Sequence, residues 1–391
     1  MRGVLRIVFQ VVCFLALLFP IQVLFAPEMI EDQRPENLWQ DNEAARMKSL
    51  VGQEITTYFG QLTDSLNFNG AVLVTHKGQT IYSLSRGLSN IRSQENLSQH
   101  SAFQLASVSK MFTATAVMLL QQDGKLAYDD LIQTHLPEWP YADQTIRHLL
   151  THRSGLARYM AVASWYWKDL KQPMSNADVL AQYANNSPIT FFSPDSGFNY
   201  CNTNYVILAQ LVERVSGIPF PTFMQQRVFD PLGMEDAYVY SRGDSLTHSH
   251  EVQGYKPGRS GYYLAGQDYI DGVWGDKNLY ASIADLQKYE AALYQGKLLS
   301  PDNLAQAWNP GSPTRHYNYG FGWRIKAGAD EPLPYHFGWW RGFRSCYIHD
   351  HKTGIGLIIL SNIDDSRRIP DYWDTFAAIQ SLWPERRDVE M

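Results

Sequence analysis

Cysteine is scarce in this chain, and the scarcity removes a class of folds. Cys13, Cys201 and Cys346 are the only three in 391 residues, so no disulfide framework holds the fold together. One Cys201–Cys346 bridge is possible by count, but two buried free thiols are expected, because nothing in the sequence brings the pair together. Cys13 lies in an apolar run without the small residues that precede a lipidated cysteine. Clustered positive charge is missing too. The formal charge is −6, and no Lys/Arg patch with interleaved aromatics offers a field for a phosphate backbone, which excludes nucleic acid as a partner. Neither an internal repeat nor a low-complexity tract is present.

Apolar material, by contrast, is ample: 45% hydrophobic and 13% aromatic residues, enough for a large core and two or so interlocked domains. Arg2 and Arg6 precede a largely apolar run, 7–26, long enough to cross a bilayer as a helix and oriented to export the remainder of the chain. An uncleaved anchor and a removed signal peptide both remain open, with a buried core helix as the third reading. Pro27 directly after Leu24-Phe25-Ala26 is a poor cleavage context and favours the anchor. The expectation is an exported protein at the periplasmic face of the inner membrane, or free in the periplasm if cleaved. Membrane contact is expected through this segment alone; the oligomeric state is open.

Residues 27–45 read as a polar spacer, and helical periodicity begins near Ala44. Ala71-Val72-Leu73-Val74, the turn His76-Lys77-Gly78 and Thr80-Ile81-Tyr82 form a hairpin. From Lys110 to Gln122 the chain is apolar on nearly every side, a buried central helix stopped by Asp123-Gly124. Helical patterns then dominate to about Asp268. Ser282-Ile283-Ala284-Asp285 has capping-box spacing ahead of a helix to about Tyr294. Tyr319 to Ile325, Phe343 to Ile348 and Ile355 to Leu360 read as antiparallel strands, and 371–383 as a closing helix. The fold expected is α/β of the α+β type, an antiparallel sheet flanked by helices. Its divisions are a membrane segment at 1–26, a linker at 27–45, a sheet domain from 46–125 and 269–391, and a mostly helical domain at 126–268.

The chemistry begins at Ser107-Val108-Ser109-Lys110. A serine hydroxyl needs a base within reach, and positions three apart share a helix face. The bland alternative makes Ser107 a helix cap. Against that stands Lys110, a charge at the head of an apolar helix, which something must recruit. Tyr200-Cys201-Asn202 is the second element, offering a phenol for proton transfer and an amide that can bond both Lys110 and a substrate. The third should be a strand passing the nucleophile with a glycine where backbone approaches the substrate. Lys352-Thr353-Gly354 has the wording of such a motif but the context of a hairpin turn. His336-Phe337-Gly338, running into Trp339-Trp340, is the better candidate.

With these elements in this order the chain resembles the serine β-lactamase and penicillin-binding-protein superfamily, in its class C-like branch of D,D-carboxypeptidases, D-amino-acid peptidases and esterases. Thr145-Ile146-Arg147-His148-Leu149-Leu150-Thr151-His152-Arg153-Ser154-Gly155-Leu156, Pro231-Leu232-Gly233-Met234, Tyr319-Gly320-Phe321-Gly322-Trp323 and Leu360-Ser361-Asn362 extend the likeness over nearly everything after the membrane segment. The resemblance implies an acyl-enzyme on Ser107, a proton shared between Lys110 and Tyr200, and Asn202 orienting Lys110 and substrate. It also implies an oxyanion hole from the Ser107 and Trp339 amides beside Gly338, with His336 lining the cleft. The substrate implied is a small molecule or a peptide, with no cofactor.

Three departures stand out. Cys201 replaces a frequent serine, and Asp195 replaces a glycine after Pro194. Phe337 replaces a hydroxyl residue that grips a substrate carboxylate, so that clamp needs Arg341 or Arg344 turned inward, and efficient β-lactam hydrolysis is not expected. A β-lactamase proper and a non-catalytic module that binds penicillin or peptidoglycan are the rival readings. A metal site is rejected, because His148 and His152 lack the adjacent glutamate of a zinc protease.

Overall fold

The computed structural model describes residues 34–240, 248, 250–311, 318–326 and 332–384. The expected membrane segment at 1–26 lies outside them. Among the described residues no helix is long and apolar enough to cross a membrane. Met1–Glu43 and Ala44–Met391 are separate compact units; of the first, only 34–43 are described, and they are helical.

The first helix, α1 (Arg34–Ser65), starts inside the stretch expected as a polar spacer. After Pro35 this polar stretch holds no further Pro or Gly, and Pro is tolerated in a first turn. Its polarity hid the helix, since the sequence there offers no apolar periodicity to read. From Met47 onward, Met47, Val51, Ile55 and Phe59 recur every fourth residue and are all buried. They pack on one face of the main sheet.

That sheet has seven strands: β1 (Gly70–His76), β2 (Gln79–Arg86), β3 (Asn318–Tyr319), β4 (Arg324–Lys326), β5 (Leu333–Trp340), β6 (Phe343–Asp350) and β7 (Ile355–Ser361), in the order β3-β4-β5-β6-β7-β1-β2. β1 pairs antiparallel with β7, Gly70 opposite Ser361 and His76 opposite Ile355. The sheet is therefore built from both sides of the helical middle. β1 and β7 are buried along their whole length, which their unbroken apolar runs require.

Against the other face lies α2 (Ser109–Gln122), with every residue from Ser109 to Leu120 buried. Behind α2 stands α3 (Asn202–Ser216), ended by Gly217 at φ 76° as the sequence indicates. Helices Ile132–His135, Ile146–Leu150, Tyr159–Tyr166 and Asn176–Asn186 precede α3 in the middle of the chain, and the hairpin Tyr255–Gly258/Gly261–Leu264 comes after it. Ser282 caps α4 (Ile283–Tyr294), accepting from the Asp285 amide at 3.1 Å. Asp285 does not return the bond; its Oδ2 accepts from the Asp236 amide. A closing helix, α5 (Tyr372–Leu382), is capped by Asp371.

Tyr319 to Ile325, expected as one strand, is two. Gly322, at φ 83°, turns the chain between β3 and β4. A Cβ there would stand 2.8 Å from both Ala114 Cβ and Lys110 O, so the turn lies directly on α2. Lys352-Thr353-Gly354 is the hairpin turn the sequence indicates: Asp350 Oδ1 accepts from the amides of Lys352 and Thr353, and Gly354 has φ 76°. Cys201 and Cys346 are separate buried thiols.

Candidate active site

From Ser101 to Leu120 a single residue is not buried, and it is Ser107. It occupies a tight turn, Ala106–Val108, at the head of α2. Ala106 is held at φ 48°, a left-handed conformation costly for any residue but glycine and typical of functional turns. Ser107 is not the helix cap: the capping position is Val108, and no side chain caps the end. Instead the Ser107 Oγ receives a hydrogen bond from Lys110 Nζ at 3.2 Å.

Lys110 has no solvent exposure, and a buried ammonium needs acceptors. Its second acceptor is the main-chain carbonyl of Asp276, 2.7 Å away. Tyr200 and Tyr205 present ring faces 5.1 and 5.8 Å from Nζ. The Tyr200 hydroxyl is buried and bonds nothing among the described residues, and the same holds for Asn202 Oδ1. The expected orienting of Lys110 by Asn202 is therefore not seen; the Asp276 carbonyl does it. Asp276 was not legible in the sequence, since a backbone carbonyl leaves no side-chain signal.

The third element arrives on β5. A Cβ on Gly338 would stand 2.5 Å from Leu105 O and 2.2 Å from Ser345 Oγ, and Ser345 Oγ itself donates to Leu105 O at 2.7 Å. Only glycine lets the strand lie this close to the Ser107 turn. β4 pairs with β5 only as far as Tyr335, so the Gly338–Trp339 stretch meets the Ser107 turn rather than another strand on that side. Trp339 is 61% exposed, its indole donating to Asp364 Oδ2 at 2.6 Å.

His336 is fully buried rather than open to the cleft. Its Nδ1 lies 2.9 Å from the Phe337 carbonyl, which can only accept, so Nδ1 carries the hydrogen and Nε2 accepts from Tyr319 Oη at 2.9 Å. Both nitrogens are engaged. Burial, then the Arg324 and Lys110 charges, hold its pKa well below the usual range. His152 behaves alike: burial first, then Lys110 and Arg324, push it well down. Its Nδ1 accepts from the Cys201 amide and Asn204 Nδ2, and its ring lies 4.4 Å from that of Tyr200.

These two histidines give a pH signature. Their folded pKa values lie below the unfolded value near 6.5, so the unfolded state takes up protons first. Their stabilising contribution is complete above about pH 6.5 and is lost as pH falls below it. Thermal melts should show Tm dropping from pH 7 to pH 5, and dropping less in His336→Gln. Asp285, raised to about 6 chiefly by burial, acts with the opposite sign, so the comparison is between variants. An equal drop in both proteins contradicts the assignment.

Phe337 does not stand at the substrate. Alternate residues of a strand face opposite ways, so while His336 and Gly338 face α2, Phe337 packs on Tyr335, Tyr372 and Trp373 on the far side of the sheet. Arg341 pairs with Asp268 and Asp271, and Arg344 with Asp364, so neither turns inward. Besides Lys110, Arg324 of β4 lies at the site, its guanidinium 4.5 Å from the centre of the Tyr200 ring. Nothing in a short strand motif distinguished it. The two remaining departures are structural. Asp195 adopts φ 64°, a glycine-like conformation, while pairing with Arg153 at 2.5 Å, and Cys201 Sγ donates to Ala157 O from a buried position.

Residues 55–380 match the Beta-lactamase family. Penicillin-binding protein 4* of Bacillus subtilis is 34% identical over 340 residues, covering 82% of this chain and 73% of that one. A D-aminopeptidase of Cereibacter sphaeroides is 26% identical, covering 76% of this chain and 57% of its own length. Among solved structures, the penicillin-binding protein from Bacillus halodurans superposes with a TM-score of 0.72 at 23% identity, over 83% of this chain and 99% of that one. The chain belongs to the Beta-lactamase family and is a serine hydrolase of that α+β fold.

Proposed function

We propose that this hydrolase cleaves amide or ester bonds through an acyl-enzyme on Ser107, with peptides carrying a D-amino acid at the scissile bond as its substrate class. The observation that carries the reading is the lone accessible Ser107 with Lys110 Nζ 3.2 Å from its oxygen. Lys110 in its neutral form takes the Oγ proton as Oγ attacks the acyl carbon. The Ser107 and Trp339 amides receive the oxyanion, a contribution of about 3 kcal/mol per donor. The proton then passes to the leaving amine or alcohol, with the Tyr200 hydroxyl, which has no hydrogen-bond partner among the described residues, as the relay. Water, deprotonated by the same pair, releases the acid. Asn202, whose side-chain Oδ1 has no hydrogen-bond partner among the described residues, bonds the substrate amide.

Arg324 narrows the substrate. A guanidinium over the Tyr200 ring offers donors to a carboxylate at the site, which favours peptides ending in a free D-residue over neutral esters. Arg324→Ala should raise KM for a D-alanyl-D-alanine-type peptide by roughly tenfold or more and leave a short-chain ester nearly unchanged. Equal losses on both would contradict the carboxylate role. The likeness to penicillin-binding protein 4* and to a D-aminopeptidase supports this class. A hydrolysis panel of D-alanyl peptides, D-amino-acid amides, β-lactams and esters tests it. Preference for L-peptides, or for β-lactams above all else, would overturn it.

We also propose that the enzyme works outside the cytoplasmic membrane, held by its apolar 7–26 run after Arg2 and Arg6. Recovery of the full chain from the cytosolic fraction would contradict this.

A further inference from the structure

Between Trp274 and Leu279 the chain crosses the interior without regular structure, and Gly275, Asp276, Lys277 and Asn278 are all buried. A buried irregular stretch holding two charges is tolerated only when its groups are engaged. Thr113 Oγ donates to Gly275 O at 2.8 Å, and Asn278 Nδ2 donates to the carbonyls of Asp271 and Val273. Lys277 Nζ donates to Tyr159 Oη and to Ile270 O, both at 2.9 Å, and lies 3.6 Å from Asp276 Oδ1. Tyr159 Oη in turn donates to Asp276 Oδ2 at 3.2 Å.

One contact in this network is unexpected. Lys110 meets Asp276 through the carbonyl, not the carboxylate, although Asp276 is fully buried and its Oδ1 has no hydrogen-bond partner among the described residues. A lone buried carboxylate beside Lys110 would draw the ammonium to itself and hold the proton there. Lys277 is the counter-charge. Its alternative partner, Asp271, is occupied by Arg341 and by the Trp340 indole, which leaves Lys277 to Asp276.

We propose that Lys277 is a positioning residue: by neutralising the Asp276 carboxylate it keeps Lys110 on Ser107 Oγ and the Asp276 carbonyl, free to surrender its proton. The other groups facing Lys110 are Tyr200 and Tyr205, together with His152, His336 and Arg324, whose electrostatic influence overlaps its own. Those facing Lys277 are Tyr159 and the Trp340 ring, with Asp271 and Asp268 paired to Arg341 behind them. Substituting Lys277 or Asp276 removes a hydrogen bond of Tyr159 Oη, a loss common to both variants.

The inference rests on Ser107 and Lys110 as the reacting pair, and the test separates the two. The pH dependence of kcat/KM is measured for folded wild type and variants, the acid limb reporting the group that must be deprotonated for turnover. Lys277→Met, which leaves a negative charge, should move that limb up by about one pH unit; Asp276→Asn, which leaves a positive one, should move it down by about the same. The double variant, with no lone charge, should return it to within a few tenths of wild type. A purely structural network would lower the rate at every pH without opposite shifts. If Lys277→Met does not fold, the sign of the Asp276→Asn shift decides, and the double variant must still keep the wild-type limb. Shifts of the same sign, or none, while turnover still requires Ser107 overturn the inference alone. Absence of Ser107-dependent turnover in wild type overturns the reading of the site instead.

Discussion

Alanine at position 107 lowers kcat/KM by at least about 10⁴-fold on every substrate the enzyme turns over, with Tm unchanged within a degree or two. The size comes from losing the atom that bonds to the acyl carbon; binding and oxyanion stabilisation survive, without a nucleophile. The small structural cost comes from the surroundings. Ser107 is the partly exposed member of a buried stretch and caps no helix; its one described side-chain bond is with Lys110. A loss below about tenfold, with the protein folded, would falsify the acyl-enzyme assignment.

Lys110→Met produces the second large effect, about 10³-fold in kcat with little change in KM, the range expected when a general base is removed. Methionine fills the volume and suits the apolar walls of α2. Replacing a buried cation with an apolar side chain of similar size is often neutral or stabilising, although the Asp276 carbonyl loses a donor here. Stopped-flow acylation and thermal melts on one preparation measure both quantities. Unfolding rather than inactivation would show that Lys110 is structural. Full activity would shift the base to Tyr200, whose hydroxyl is buried and has no hydrogen-bond partner among the described residues.

Much of this site was legible because its parts obey local rules. The all-round apolar pattern from Lys110 to Gln122 foretold a helix buried on every side. Context separated His336-Phe337-Gly338 on β5 from Lys352-Thr353-Gly354 in a turn, although the two triplets look equally promising as words. The features that escaped depend on tertiary placement. The Asp276 carbonyl reaches Lys110 across 166 positions of chain. Arg324 reads as one more strand residue until β4 brings it over Tyr200. His336 was expected at the cleft, but Tyr319, itself fully buried, takes its Nε2. Phe337 was judged by its neighbours in sequence, and the strand's alternation turned it to the opposite face. The start of α1 at Arg34 was hidden because the sequence from Arg34 to Glu43 carries no apolar periodicity.

One covalent bond, between Ser107 Oγ and the acyl carbon, decides the mechanism. Incubating the folded protein with a fluorophosphonate or a fluorescent penicillin, then taking intact mass and mapping the labelled peptide, reads the reactivity of that oxygen directly. One equivalent of adduct, on Ser107 in wild type and absent from Ser107→Ala, is the expected result. The same adduct on Ser107→Ala, or a label on any other residue, contradicts it.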